Sequence, residues 1–208
     1  DGLKVVAAGR GRANLIATTS GVFIPEESID SINMLDDAFS AASLTPYTAV
    51  RADQLVATIK LVPYAVSKDT LAKLAHTNTT AQVRTFAGLK ATLISTIETI
   101  SPKVQRILDE RLHHVSGEIV GSVTVDHTVT AVSSALEKVR SDIDVILIMG
   151  ASAISDRRDI VPEALEAAGG TIIKLGMPTD PGNLLMLGEL SGKHVIGLPG
   201  CARSPALN

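Results

Sequence analysis

Val145-Ile146-Leu147-Ile148-Met149 runs directly into Gly150-Ala151-Ser152-Ala153-Ile154-Ser155-Asp156-Arg157-Arg158-Asp159. Five consecutive apolar residues with no polar alternation read as a strand buried on both faces, the kind found at the centre of a parallel sheet. The small and polar residues that follow form a loop. A helix then covers residues 160–168, and Gly169-Gly170 stops it. Strand, small-residue loop and helix make one βα unit, and the segments on either side repeat it.

On the N-terminal side, residues 90–94 read as a strand. A helix over 103–115 places Val104, Ile107, Leu108, Leu112 and Val115 on one face, with Pro102 suited to its first turn. Residues 119–125 form a second strand, and Val129, Val132, Leu136 and Val139 mark a second helix. On the C-terminal side, residues 171–175 are a strand. Residues 184–190 and 194–198 form a hairpin turned by Ser191-Gly192-Lys193. The expected fold is α/β, a doubly wound and mostly parallel sheet over residues 82–208, preceded by a smaller mixed α/β segment over residues 1–81. In that segment strands are expected near 3–7, 14–18 and 55–62. A helix is expected to turn Ile29, Ile32, Leu35 and Phe39 inward, and Ser67 to cap a helix carrying Leu71 and Leu74. The polar residues 76–82 read as a linker.

Of the 208 residues, 45% are apolar, enough for a substantial core, yet there are only three Phe, two Tyr and no Trp. The core is therefore built of Val, Ile, Leu and Ala. A formal net charge of -3 with scattered charges removes the electrostatic motive for a nucleic-acid or acidic membrane partner. One cysteine, Cys201, excludes an internal disulfide, and with no apolar run near the roughly 20 residues that span a bilayer, a cytoplasmic location is expected. The start at Asp1 and the end at Pro205-Ala206-Leu207-Asn208 read as those of a fragment.

Ligands of open α/β sheets bind beyond the carboxyl ends of the strands. The loops there cover residues 95–101, Asp126-His127, 150–159, 176–183 and 199–204. In the 150–159 loop, small residues allow backbone to approach a ligand and a helix N-terminus offers N–H donors to phosphate. Ser152 and Ser155 add hydroxyls, and Arg157 and Arg158 suit an anion. Asp156 and Asp159 suit Mg²⁺ or a polar heterocycle, and equally suit capping of the helix. Two prolines and two glycines in Gly176-Met177-Pro178-Thr179-Asp180-Pro181-Gly182-Asn183 give a rigid loop. Gly197-Leu198-Pro199-Gly200-Cys201-Ala202-Arg203-Ser204 again sets an arginine and a serine beyond a strand. His76, His113, His114, His127 and His194 read as structural or surface residues, without zinc spacing. Nucleophile-elbow, P-loop and dinucleotide signatures are absent, Gly9-Arg10-Gly11-Arg12 being too short and basic for the last.

The succession Asp156-x-x-Asp159, the following Val-x-x-Ala-Leu-x-x-x-Gly-Gly, Pro181-Gly182 and Gly197-Leu198-Pro199-Gly200 resembles the molybdopterin-binding domain of molybdenum-insertion and molybdopterin-adenylyltransferase proteins. It covers about residues 90–208. The wording of the 150–159 and 199–205 loops, with Gly11-Arg12-Ala13-Asn14-Leu15 and Val56-Ala57-Thr58-Ile59-Lys60, resembles a bacterial branch that can be joined to a cytidylyltransferase-like module. The resemblance implies molybdopterin as ligand, held by its pterin and phosphate, with Mg²⁺ and ATP or CTP as accessories. It implies ligand contacts from Gly150, Ala151, Ser152, Ser155, Arg157, Asp180, Pro181, Gly182, Asn183, Pro199, Gly200, Arg203 and Ser204. Asp156 and Asp159 would be the catalytic and metal-binding pair, and the assembly a homo-oligomer. Asn183 stands where the insertion proteins commonly have lysine, which leans the reading from a transferase toward a carrier module of a longer cofactor-maturation protein.

Overall fold

The computed structural model describes residues 1–25, 29–76 and 81–205, which fall into two compact units, Asp1–Phe86 and Ala87–Asn208. Part of the expected linker, residues 77–80, and the chain end, residues 206–208, lie outside the described residues. The unit boundary falls after Phe86 rather than after residue 81. The physical reason is that Ala81–Arg84 is a strand paired antiparallel with Gly21–Pro25, so it belongs with the N-terminal unit.

That unit contains β1 (Leu3–Ala7), β2 (Arg12–Ala17), β3 (Gly21–Pro25), α1 (Asp30–Asn33), β4 (Phe39–Ser43), β5 (Ala49–Val50), β6 (Leu55–Leu61), α2 (Lys68–His76) and β7 (Ala81–Arg84). They form an antiparallel sheet ordered β1-β2-β6-β4 and a smaller one ordered β5-β3-β7. Phe23, Val50, Val56 and Val83 make one apolar cluster, and Ile32, Phe39 and Ala41 another. Ser67 caps α2 as expected, its hydroxyl accepting from the Thr70 N–H at 3.0 Å. The helix expected to carry Ile29 through Phe39 is corrected: α1 has four residues and Phe39 begins a strand. Two polar side chains cause this. Asp36 accepts from the Ala38 N–H at 3.0 Å and turns the chain, while the Asn33 amide bonds both the N–H and the carbonyl of Ala41.

The C-terminal unit contains β8 (Leu89–Ser95), α3 (Pro102–His113), β9 (Gly117–Thr124), α4 (Val129–Glu137), β10 (Val145–Met149), α5 (Ile160–Ala167), β11 (Thr171–Leu175), β12 (Met186–Leu190) and β13 (Lys193–Gly197). Its six-stranded sheet is ordered β11-β12-β13-β10-β8-β9. β13, β10, β8 and β9 are parallel neighbours, and β12 pairs antiparallel with both β13 and β11, so β12 alone is reversed. The β12–β13 turn is two residues, Ser191 and Gly192, both at positive φ as a tight hairpin of this twist requires.

Alternation along β10 shows why the strand has no polar residue. Val145, Leu147 and Met149 join Leu93 and Leu108 in a cluster on the α3 side. Ile146 and Ile148 join Val132, Leu136, Val161 and Leu165 on the side of α4 and α5. A central strand covered by helices on both faces needs apolar side chains in both directions. The fold is the doubly wound, mostly parallel α/β sheet expected from the sequence. Helix ends are set by Ser101, whose hydroxyl accepts from Val104 N, and by Thr128, whose hydroxyl accepts from Ala131 N.

Candidate functional site

From β8 the chain moves outward to β9 and then returns past β8 to β10, so the connections diverge between β8 and β10. A crevice opens at such a switch point, beyond the carboxyl ends of the strands. Register fixes what stands there. Ser95 pairs with Met149 on one side and with Thr124 on the other, and Ile148 pairs with Gly197. Thr96, Val125, Gly150 and Leu198 therefore leave the sheet side by side.

Thr96 is 8% exposed. Its N–H donates to the Met149 carbonyl at 2.9 Å, and its Oγ1 accepts from the Ala151 N–H at 2.8 Å. Oγ1 also lies 2.8 Å from His127 Nδ1, and His127 Nε2 lies 2.9 Å from Ser152 Oγ. Loops from β8, β9 and β10 are thus joined by one chain of side-chain hydrogen bonds. Ser95 shapes the first loop, its hydroxyl donating to the Ile97 carbonyl and accepting from the Ile97 N–H. Gly150 suits a tight start to the third loop, since a Cβ there would stand 2.9 Å from the Ser152 carbonyl.

Arg203 reaches the same place from β13. It ends a short 3-10 turn, Gly200–Arg203, and its Nη2 donates to the Gly150 carbonyl at 3.1 Å. Ala202 is buried beneath the turn and the Ser204 carbonyl accepts from Arg111 Nη2 at 3.0 Å. Pro199 is buried while Gly200 and Arg203 are exposed.

The remainder of the 150–159 loop is closed by its own carboxylates. Asp159 Oδ2 accepts from the N–H groups of Ser155 at 2.6 Å and Asp156 at 2.8 Å. Asp156 Oδ1 accepts from Arg158 N at 2.8 Å and Arg158 Nε at 3.3 Å. The Arg158 backbone N–H, and secondly its guanidinium, hold the exposed Asp156 carboxyl below the usual carboxylate range. These N–H donors at the start of α5 are therefore directed at carboxylates of the chain itself. One oxygen of each carboxylate, Asp159 Oδ2 and Asp156 Oδ1, is thus turned onto loop donors, and among the described residues no three His, Cys, Asp or Glu gather. Arg157 pairs with Glu166 at 3.7 Å, along α5.

The lowered Asp156 pKa ties the stability of this loop to pH. The carboxylate stabilises this loop above the pKa it has in the unfolded chain, and that contribution disappears as pH falls through its lower folded value. Arg158→Ala removes the guanidinium but leaves the backbone N–H, the larger cause. NMR titration of the Asp156 carboxyl is expected to show its pKa rising in this variant while staying below the usual range; an unchanged pKa would mean that the ion pair contributes nothing.

Asp180, Pro181, Gly182 and Asn183 stand apart from this group. Their loop follows β11, three interstrand spacings or about 14 Å from β10. It is folded on itself, with Met177 N donating to the Asn183 carbonyl and Leu185 N to the Gly182 carbonyl. An apolar groove of about 350 Å³ lies elsewhere, between β9 and α4, lined by Ile94, Val120, Val123, Ala135 and Val139. Its lining also includes Thr92, Ser134, Lys138 and Arg140, and none of Thr96, His127, Ser152 and Arg203. Thr96 and His127 stand in the loops expected beyond the first two strands, but His127, read as structural or surface, and Thr96, given no role, instead link those loops to Ser152. Among the described residues no helix is long and apolar enough to cross a membrane.

The C-terminal unit is thus an α/β domain whose two-faced, mostly parallel sheet gathers hydroxyl, imidazole and guanidinium groups at its switch point. Residues 92–206 match the family model described as "Probable molybdopterin binding domain", and the chain belongs to that family of molybdenum cofactor biosynthesis domains. Among solved structures, it is similar to molybdenum cofactor biosynthesis protein B, at 19% identity and a TM-score of 0.46 over 60% of this chain and 89% of that one. It is also similar to the molybdopterin biosynthesis moea protein from Pyrococcus horikosii, at 14% identity and a TM-score of 0.41 over 96% and 70%. A molybdenum cofactor biosynthesis protein from Pyrococcus furiosus matches at 14% and 0.36 over 83% and 64%. No curated protein matches significantly.

Proposed function

We propose that the C-terminal unit binds the pterin and phosphate of molybdopterin beyond the carboxyl ends of β8, β10 and β13, as a carrier module in cytoplasmic molybdenum cofactor biosynthesis or delivery. The observation that carries this reading is that Arg203 bonds the Gly150 carbonyl at the start of the loop in which His127 holds Ser152, at the switch point. A hydroxyl and a guanidinium beside glycine backbone are the groups that phosphate recognition requires. In this reading Gly150, Ala151, Ser152 and Arg203 hold the phosphate, with Pro199, Gly200 and Ser204 shaping the rim. The loop of Asp180, Pro181, Gly182 and Asn183 receives the far end of the ligand. Asp156 and Asp159 hold their loop in shape, and Ser155 and Arg157 contribute through that loop.

Carriage is preferred to transfer because Asn183 stands where the insertion proteins commonly have lysine, and because one oxygen of each carboxylate is engaged in holding its own loop. The wording of the loops further supports a place in the branch that can carry a cytidylyltransferase-like module, with CTP as the nucleotide of the whole protein. The test is isothermal titration with molybdopterin and, separately, with ATP plus Mg²⁺ at fixed salt. Binding of molybdopterin alone is the expected result; binding of both would favour a transferase, and binding of neither would sink the reading.

A further inference from the structure

The hydrogen-bond chain Thr96–His127–Ser152 has a direction that its partners determine. Thr96 Oγ1 accepts from the Ala151 N–H, which leaves one lone pair and one proton. If the Thr96 proton goes to His127 Nδ1, the imidazole carries its own proton on Nε2 and donates it to Ser152 Oγ. If instead Nδ1–H donates to Thr96, the threonine proton must find another acceptor in a buried place. Among the described residues Oγ1 has no third polar partner. A hydroxyl proton enclosed without an acceptor is unfavourable, so the first direction is the one the site permits. Ser152 then receives a hydrogen bond from His127 and keeps its own proton for something outside the protein. Ser152 is exposed, His127 half-buried and Thr96 buried, so the chain runs from the interior outward.

We propose that Thr96 and His127 are positioning residues that fix Ser152 as an outward hydroxyl donor to an oxyanion of the phosphate class. Arg203, anchored on the Gly150 carbonyl, supplies the accompanying cation. The inference rests on the reading that the switch point holds the anionic end of the ligand. It goes further in saying which proton is offered and what holds it there. In the opposite direction Ser152 would donate its proton to His127 Nε2 and present only lone pairs outward, which repel an anion. The buried threonine thus sets the class of group that the exposed serine recognises.

The experiment uses the whole chain and inorganic phosphate. Ring ¹⁵N spectra of His127 are expected to show the Nε2–H tautomer without ligand. Thr96→Val is expected to abolish that preference, and Thr96→Ser, which keeps the hydroxyl, to restore it. Ser152→Ala is expected to weaken phosphate binding about tenfold, the effect of one charge-assisted hydrogen bond. Thr96→Val should weaken it in the same direction, and the double variant should bind no worse than Ser152→Ala alone, because both remove one donor. His127→Gln, which keeps a donor near Ser152, should bind better than His127→Ala. An Nδ1–H tautomer, multiplicative losses in the double variant, or no phosphate binding by the wild type would each overturn the proposal. Molybdopterin failing to bind while the tautomer and coupling hold would sink the ligand reading alone; molybdopterin binding with Thr96→Val silent would sink the relay alone.

Discussion

Leu165→Ala is expected to lower the stability of the C-terminal unit by about 3–5 kcal/mol, the upper part of the range for a buried leucine. Leu165 is fully buried in α5, within the cluster that covers the β10 face formed by Ile146 and Ile148. Its two methyl groups occupy the space that side chains at Gly170 and Gly188 would need: a Cβ at Gly170 would lie 2.3 Å from Leu165 Cδ1, and one at Gly188 2.4 Å from Cδ2. Truncation therefore leaves a hole bordered by two residues with no side chain to move into it, and collapse is poor. The converse substitution Gly188→Ala is also unfavourable, because the new methyl group meets Leu165 and lies 2.9 Å from the Thr171 carbonyl. Urea unfolding, followed by a probe in this unit, checks both. In the Leu165→Ala background the added methyl group of Gly188→Ala should cost less than it does alone, since part of its clash has been removed. A loss below about 1 kcal/mol for Leu165→Ala would mean that α5 relaxes onto the sheet, contrary to the packing.

The same packing explains what could be read from the sequence. β10 was legible because burial on both faces admits no polar residue, so five apolar letters in a row had one economical reading. The tight turn at Ser191-Gly192 and the stop after α5 were legible because backbone conformation there constrains residue type. Residues 29–39 were misread for an equally local reason. Ile29, Ile32 and Leu35 follow helical spacing, and nothing in that spacing announces that Asn33 will bond across to Ala41 or that Asp36 will turn the chain at Ala38. The sheet of β5, β3 and β7 escaped notice because β3 and β7 are far apart in sequence and each is short. The site divides similarly. Its loops were legible from glycine, serine and arginine beyond each strand. The Thr96–His127–Ser152 chain was not, because it depends on β8 lying between β9 and β10, which is a property of strand order and not of any one segment.

Strand order also decides which arginine matters most, and this gives the second large effect. Arg203→Ala is expected to weaken molybdopterin binding about tenfold to a hundredfold, the loss of one or two hydrogen bonds from a cation to an anionic oxygen. Its guanidinium has five donors in a fixed fork, and one goes to the Gly150 carbonyl, at the start of the loop that holds Ser152. The turn carrying it is pinned by buried Ala202 and by the Arg111–Ser204 hydrogen bond, so little ordering remains to be done on binding. Arg157→Ala, by contrast, should change affinity less than about twofold, since Arg157 is exposed, pairs with Glu166 along α5 and makes an ion pair of small worth. Arg203→Lys keeps the charge and loses the fork, and should recover only part of the affinity. Titrations at two salt concentrations separate the roles: the Arg203→Ala variant should lose salt sensitivity along with affinity, because a counter-charge to the ligand has gone. Equal losses from Arg157→Ala and Arg203→Ala would move the phosphate toward the start of α5. An unaffected Arg203→Ala variant would remove the switch-point cation from the site altogether.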